Sequence, residues 1–131
     1  MKLAVIGCTG LVGTVILKVI SECKLPISKL ILVASSKSIG KEIKFESNSL
    51  EIESIEMALS KNPEIAIFCA GGEISKKWAP IFSKNGITVI DNSSAWRMDH
   101  QVPLVVPEIN GSSIKKSNKI IANPNCSTIQ M

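Results

Sequence analysis

The sequence of 131 residues is short of the side chains on which several classes of binding site depend. It has one histidine, His100, and four cysteines with no C-x-x-C pair, so a zinc site has almost no ligands to draw on. Lysines are adjacent only at Lys76-Lys77 and Lys115-Lys116, and the net charge is only +4, which disfavours a basic surface for nucleic acid. We therefore expect no metal site and no nucleic-acid partner.

Long apolar runs are lacking as well. No run approaches the ~20 residues that a membrane-spanning helix needs, and the first apolar stretch breaks at Gly7 without a cleavage site for a leader peptide. The chain shows no repeats, low-complexity tracts or linkers. With 45% apolar and 20% charged residues, the composition is that of one folded domain over residues 1–131. We expect no membrane association and a cytoplasmic location, where the cysteines remain free thiols.

Short β-branched segments alternate with segments of helical periodicity. Polar and apolar residues alternate in two short stretches, which predicts a small hairpin or two edge strands, and a long polar loop follows the fourth main strand. This alternation predicts an α/β fold, a Rossmann-type doubly wound parallel sheet whose ligands bind at the carboxyl ends of the strands. The predicted strands are 2–7, 29–35, 64–70, 86–91 and 118–123, the hairpin is 41–46 with 50–53, the loop is 92–107, and the helices are 11–23, 54–60 and a segment around 74–82 that Pro80 bends or interrupts.

Three glycines follow the first predicted strand in the motif GCTGLVG. Gly7, Gly10 and Gly13 have the spacing G-x-x-G-x-x-G, one residue longer between the first two than the commonest dinucleotide fingerprint. Because glycine has no Cβ, backbone N–H groups at the start of the following helix can approach a pyrophosphate closely. The motif predicts a dinucleotide site, although glycines that only form a tight turn would give the same pattern.

The turn after the second strand indicates which dinucleotide binds. An NAD site usually has an acidic residue about 20 residues after the glycines. This chain has SSKS instead, so the hydroxyls of Ser35, Ser36 and Ser38 and the cation of Lys37 favour the 2′-phosphate of NADP. A polar surface turn that binds nothing is the alternative. A second glycine turn, CAGG, places Ala70 and Gly71 where they would approach the cofactor, or where they simply connect a strand to a helix.

The motif ANPNCSTIQM contains the most reactive candidate, Cys126. The cysteine follows a predicted strand and begins a predicted helix, whose dipole favours a thiolate. A thiolate beside a nicotinamide site suits aldehyde oxidation through a thiohemiacetal, although free cysteines are often just small buried apolar residues. Arg97 is the only arginine and suits bidentate binding of a phosphate, unless it is a plain surface residue. His100 lies in a polar loop and is expected to be solvated rather than a general base.

Four motifs together, GCTGLVG, DNSSAWRMD, PLVVPEIN and ANPNCSTIQM, closely resemble the N-terminal domain of the aspartate-β-semialdehyde dehydrogenases. The resemblance runs over essentially the whole chain, and the cysteine motif is its most specific part. It implies a reversible, NADP-linked reductive dephosphorylation of aspartyl phosphate to aspartate semialdehyde. That step lies on the route to lysine, threonine, methionine and diaminopimelate. It also implies that the full-length form is a homodimer or homotetramer.

The resemblance assigns roles to individual residues of this chain. Cys126 matches the nucleophile that forms an acyl-thioester, and Arg97 and Asn125 match residues that bind the phosphate. Lys37 and Ser38 match the end of the site that binds the adenosine phosphate. The pyrophosphate turn is matched by Thr9, Gly10, Leu11 and Val12.

The resemblance also implies that other parts of the enzyme lie beyond Cys126. Enzymes of this family are far longer, and their acid–base histidine, which His100 does not match, belongs to a C-terminal catalytic and dimerisation domain that this chain lacks. We expect the chain to stop in mid-gene, to expose apolar sheet surface that invites aggregation, and to be inactive alone.

Three alternatives remain at this point. N-acetyl-γ-glutamyl-phosphate reductases perform the same chemistry on a longer substrate, but their cysteine usually stands between glycine and an aromatic residue. A non-catalytic nucleotide-binding remnant would keep the pocket without the reaction. A generic Rossmann regulator would need no reactive thiol.

Overall fold

A computed structural model describes all residues from 1 to 131. It contains seven strands, five α-helices and one short 3-10 turn. In chain order these are β1 Lys2–Ile6, α1 Leu11–Cys23, β2 Lys29–Val33, β3 Glu42–Phe45, β4 Asn48–Glu53, α2 Ile55–Ser60, β5 Ile65–Phe68, α3 Gly72–Lys84, β6 Thr88–Asp91, α4 Pro107–Asn110, the 3-10 turn Gly111–Ser113, β7 Ile120–Ala122 and α5 Cys126–Gln130.

All seven strands belong to one sheet in the order β3-β4-β2-β1-β5-β6-β7. Strand β1 lies at the centre and pairs in parallel with β2 and β5, and β6 and β7 extend the parallel sheet on one side. The Rossmann-type doubly wound sheet predicted from the sequence is therefore confirmed. The hairpin is confirmed as the antiparallel pair β3–β4, and β4 also pairs in parallel with β2, which the sequence had not predicted.

Apolar residues of the strands are buried on both faces of the sheet. In β1, Leu3 and Val5 belong to the cluster that packs with α1, while Ala4 and Ile6 belong to the cluster that packs with α2 and α3. Burial on both faces is why this strand is a continuous apolar run rather than an alternating one. The carboxyl edge of this sheet carries the turns predicted to bind ligand.

The structure corrects one expectation from the sequence. Helix α3 runs through Pro80 without interruption, and the carbonyl that loses its partner there belongs to the exposed Lys76. The predicted loop after β6 ends where Pro107 begins the short helix α4, which is too brief to show a period. No large apolar side chain of a strand is exposed. The exposed large apolar residues lie on helices and loops, but Ile90 of β6 and Ile121 of β7 are only half-buried and belong to neither apolar cluster. The sheet face opposite α3 is therefore only partly covered at these two strands. No helix has the length and apolar character needed to cross a membrane.

Candidate active site

The glycine turn connects β1 to α1 in a conformation that requires glycine. Gly7 has a φ of 95°, and a Cβ at this position would lie 2.8 Å from the carbonyl carbon of Cys69. The backbone N–H groups of Gly7 and Cys8 both donate to the carbonyl of Val33, at 2.8 and 3.0 Å. The turn is therefore fixed between the ends of β2 and β5, and no side chain other than hydrogen fits at Gly7.

Helix α1 packs directly on this turn. A Cβ at Gly13 would lie 2.1 Å from the carbonyl oxygen of Gly7, which explains the third glycine of the motif. Gly10 is the N-cap residue and supplies no side-chain cap. Helix geometry leaves the N–H groups of Leu11, Val12 and Gly13 without intrahelical acceptors, so they are available to an anion.

A cavity of about 400 Å³ opens above the turn at the carboxyl edge of the sheet. It brings together five of the predicted cofactor residues, and no carboxylate lines it. Other surface clefts, between α1 and the β3–β4 hairpin, contain none of the predicted site residues. The predicted residues in the cavity wall are Gly7, Thr9, Gly10, Ser35 and Ala70.

The residues predicted to select NADP form a turn at the rim of this cavity. The N–H of Ser38 donates to the carbonyl of Ser35 at 2.8 Å, which leaves Ser36 and Lys37 at the exposed tip. Lys37 takes part in no salt bridge. Ser35 therefore lines the cavity, whereas Ser36, Lys37 and Ser38 lie outside its wall.

The turn after β5 closes the opposite side of the cavity. Gly71 has a φ of 93° and precedes α3 without a side-chain cap, and Ala70 is exposed. The thiol of Cys69 donates to the carbonyl of Ile6 at 3.1 Å. Burial, together with the neighbouring Cys8 and Asp91, raises the pKa of Cys69 to about 11, so this thiol stays protonated near neutral pH.

Arg97 is held by backbone carbonyls at the ends of two neighbouring strands. Its Nε donates to the carbonyl of Asn123 at 2.9 Å, and its Nη2 donates to the carbonyl of Asn92 at 3.1 Å. The side chain is half-buried. The alternative of a plain surface arginine does not fit this arrangement, because both contacts fix the guanidinium beside the segment that leads to Cys126.

Cys126 is the first residue of α5 and is exposed. Within these 131 residues the thiol is not buried, which does not favour the alternative of a buried apolar cysteine. Asn125 caps the helix, with its Oδ1 accepting from the N–H of Ser127 at 2.8 Å, and the thiol lies 3.9 Å from the same oxygen. His100 is exposed in the loop between β6 and β7 and makes no side-chain hydrogen bond.

Two residues that sequence reasoning missed are Asn92 and Asn123, which bind Arg97 through their carbonyls. Their position directly after β6 and β7 was the available indication, since ligand sites of such sheets lie at the carboxyl ends of strands. Ile55 and Ile74 were also missed as apolar walls of the cavity.

The model of the semialdehyde dehydrogenase NAD binding domain matches residues 2–117. The chain belongs to this family. It is 51% identical over 133 residues to an aspartate-semialdehyde dehydrogenase of Aquifex aeolicus, an alignment that covers 99% of this chain and 39% of that protein. The chain therefore spans about two fifths of the length of the curated relatives it matches.

Solved structures give the same result. An aspartate-semialdehyde dehydrogenase II of Vibrio cholerae, complexed with ASA, is 46% identical with a TM-score of 0.93, and the match covers 99% of this chain and 43% of that one. The Candida albicans enzyme, solved with NADP, is 23% identical over 98% of this chain and 44% of that one, and its TM-score of 0.78 shows the fold alone. The structure is thus that of a semialdehyde dehydrogenase NAD binding domain, and its fold is that of the part of the Vibrio cholerae structure that it covers.

Proposed function

We propose that the complete gene product is an NADP-dependent aspartate-semialdehyde dehydrogenase that converts L-aspartyl 4-phosphate reversibly to L-aspartate 4-semialdehyde. The observation that carries the proposal is the arrangement at one sheet edge. A glycine turn in which Gly7 and Gly13 leave no room for a Cβ, and an exposed cysteine at the start of a helix, follow parallel strands of the same sheet. The relatives named aspartate-semialdehyde dehydrogenase favour this reaction over that of the N-acetyl-γ-glutamyl-phosphate reductases.

The chain's own residues fit a dinucleotide. The N–H groups at the start of α1 would bind the pyrophosphate, and the cavity between Ser35 and Ala70 would hold the adenosine end. We assign NADP rather than NAD because no carboxylate lines this cavity, and because Lys37, with Ser36 and Ser38 beside it, has no competing anionic partner. When bound, NADP would supply or accept the hydride.

Cys126 would act as the nucleophile, and Arg97 would bind the phosphate group of the substrate. In the reductive direction the thiolate of Cys126 attacks the acyl carbon, the bond to the phosphate oxygen breaks, and an acyl-thioester forms on the sulfur. Arg97 and the amide of Asn125 would bind the phosphate and neutralise its charge as it leaves. The carbon of this thioester would be the atom that accepts the hydride, and the C–S bond of the resulting thiohemiacetal would then break to release the aldehyde and the thiolate of Cys126.

The other residues needed for turnover, and the subunit contacts, are expected outside these 131 residues. His100 is exposed and unpaired, so nothing in its setting prepares it as an acid–base group. We therefore propose that the 131 residues alone do not catalyse the reaction. We also propose that the complete protein acts as a homodimer or homotetramer in the cytoplasm.

The test measures NADPH formed by the complete gene product from aspartate semialdehyde, phosphate and NADP⁺. Activity that Cys126→Ala abolishes and the matched Cys23→Ala leaves unchanged supports the proposal, since both cysteines are exposed. Activity that survives in Cys126→Ala, or none with this substrate in the wild type, contradicts it. NADPH production by the isolated 131-residue chain would contradict the expectation that this chain alone is inactive.

A further inference from the structure

One side-chain hydrogen bond joins the loop that carries Arg97 to the segment that leads to Cys126. Nδ2 of Asn123 donates to Oδ1 of Asn92 at 2.7 Å. Asn92 directly follows β6 and Asn123 directly follows β7, and these two strands pair in parallel. The backbone N–H groups of both asparagines donate to carbonyls of adjacent strands, so each residue is held at the sheet edge. We call this pair the asparagine clasp.

The same two residues supply both carbonyls that receive Arg97. A guanidinium has five N–H donors, and these two contacts leave three of them, including both on Nη1, for a ligand. The direction in which those donors point depends on the separation of the Asn92 and Asn123 backbones. The hydrogen bond of the asparagine clasp joins the two residues across this separation.

The contact of Arg97 with the carbonyl of Asn123 also limits the distance from Arg97 to the nucleophile. Cys126 is three residues after Asn123, and a chain of that length reaches at most roughly 11 Å. Within it, Pro124 is buried and has a restricted φ, and Asn125 is fixed as the cap of α5. A shift of Asn123 would therefore move Arg97 and Cys126 relative to each other.

The loop has other anchors that do not involve the clasp. The hydroxyl of Ser93 donates to Oδ2 of Asp91 at 2.7 Å, and Nε1 of Trp96 donates to the hydroxyl of Ser75 at 2.9 Å. Loss of the Asn92 side chain should therefore loosen Arg97 locally without releasing the whole loop.

We propose that Asn92 is a positioning residue: by accepting from Asn123, its side chain holds the free guanidinium donors of Arg97 where an anionic group at Cys126 binds. This inference deepens the proposed function and rests on it for the identity of the anion, which would be the phosphate of the substrate. Asn92 itself touches neither phosphate nor sulfur in this account.

The test compares alkylation of Cys126 by anionic iodoacetate and by neutral iodoacetamide in the complete gene product, quantified by peptide mapping. The ratio of the iodoacetate rate to the iodoacetamide rate rises with positive charge beside the thiol. It can be measured without any catalytic activity. We expect Arg97→Ala and Asn92→Ala each to lower the ratio, by about threefold to tenfold, while the iodoacetamide rate stays unchanged. The matched control Asn85→Ala, whose amide caps the far end of α3, should leave the ratio unchanged.

Asn123→Ala breaks the same bond from the other side and serves if Asn92→Ala does not fold. The variant that combines Asn92→Ala with Asn123→Ala should lower the ratio of the two alkylation rates no further than either substitution alone, because both remove the same hydrogen bond. In the activity assay, Asn92→Ala should raise the KM for phosphate more than it lowers kcat. An unchanged ratio in folded Asn92→Ala, or additive losses in the double variant, would overturn the proposal. The proposed function can fail separately, by absence of NADPH formation in the wild type.

Discussion

The close packing of α1 on the glycine turn makes Gly13→Ala a severe test of the structure. The added Cβ would lie 2.1 Å from the carbonyl oxygen of Gly7 and 2.8 Å from the Cα of Cys8. Side-chain carbons essentially never approach closer than 3.0 Å, so the helix and the turn must separate by at least 0.9 Å, which is 3.0 minus 2.1. Both obstructing atoms belong to the backbone, so no change of rotamer relieves the contact.

Two effects of opposite sign determine how far Gly13→Ala changes the free energy of unfolding. Replacing a glycine inside a helix by alanine stabilises by up to about 1 kcal/mol, whereas overpacking a close contact costs about 1–3 kcal/mol or more. Because the clash at Gly13 is severe, we expect the overpacking to win and the free energy of unfolding to fall by about 2 kcal/mol. For a domain of this size that corresponds to a melting temperature lower by about 8 °C. NADPH binding should weaken by about tenfold, since the turn that binds the pyrophosphate moves.

Thermal unfolding and NADPH fluorescence titration measure both effects. Gly111→Ala is the matched control, because Gly111 has a φ of −55° and its added Cβ would meet only the Cβ of Pro107, at 3.8 Å. The control should change the free energy of unfolding by less than about 0.5 kcal/mol. A Gly13→Ala protein as stable as the wild type, with normal NADPH affinity, would refute the packing argument.

Three further predictions concern charge and thiols. Lys37→Glu should weaken NADP far more than NAD in parallel titrations, because a carboxylate would repel the 2′-phosphate; equal weakening would remove Lys37 from that role. With a disulfide reagent near neutral pH, Cys23 and Cys126 should react quickly and the less accessible Cys8 and Cys69 slowly, and fast reaction of all four would contradict the burial. Because folding raises the pKa of Cys69 from 9.0 to about 11, its contribution to stability is complete below pH 9.0 and is lost as the pH rises towards about 11. The free energy of unfolding should fall over that range, and Cys69→Ala should flatten the fall; an equal slope in both proteins would show that another group is responsible.

Most of the fold was predictable because it depends on local patterns. The strands of the parallel sheet are short apolar runs, and the first helix has a clear period between Leu11 and Cys23. The short helix α4 was not predictable, because four residues carry no period. The pairing of β4 with β2 was also missed, because it is a long-range contact that the alternating pattern of a hairpin does not reveal.

The placement of the candidate site residues was predictable where a residue's chemistry and its position after a strand point the same way, while their roles stay predictions. Gly7, Gly13 and Cys126 are such positions, and the structure supplies the reason for each glycine. The anchoring of Arg97 was not predictable, because backbone carbonyls accept it and every residue type has a carbonyl. The assignment of Lys37 to a 2′-phosphate stays a prediction.

The proposed reaction depends on an acyl-thioester that forms on Cys126. The most direct measurement is mass spectrometry of the complete gene product after incubation with aspartate semialdehyde and NADP⁺ in the absence of phosphate. Without phosphate to release it, the acyl group should accumulate on the peptide that contains Cys126, with one NADPH formed per acylated site, and added phosphate should remove it. An acyl group on another residue, or NADPH formed without any acylation, would contradict the account.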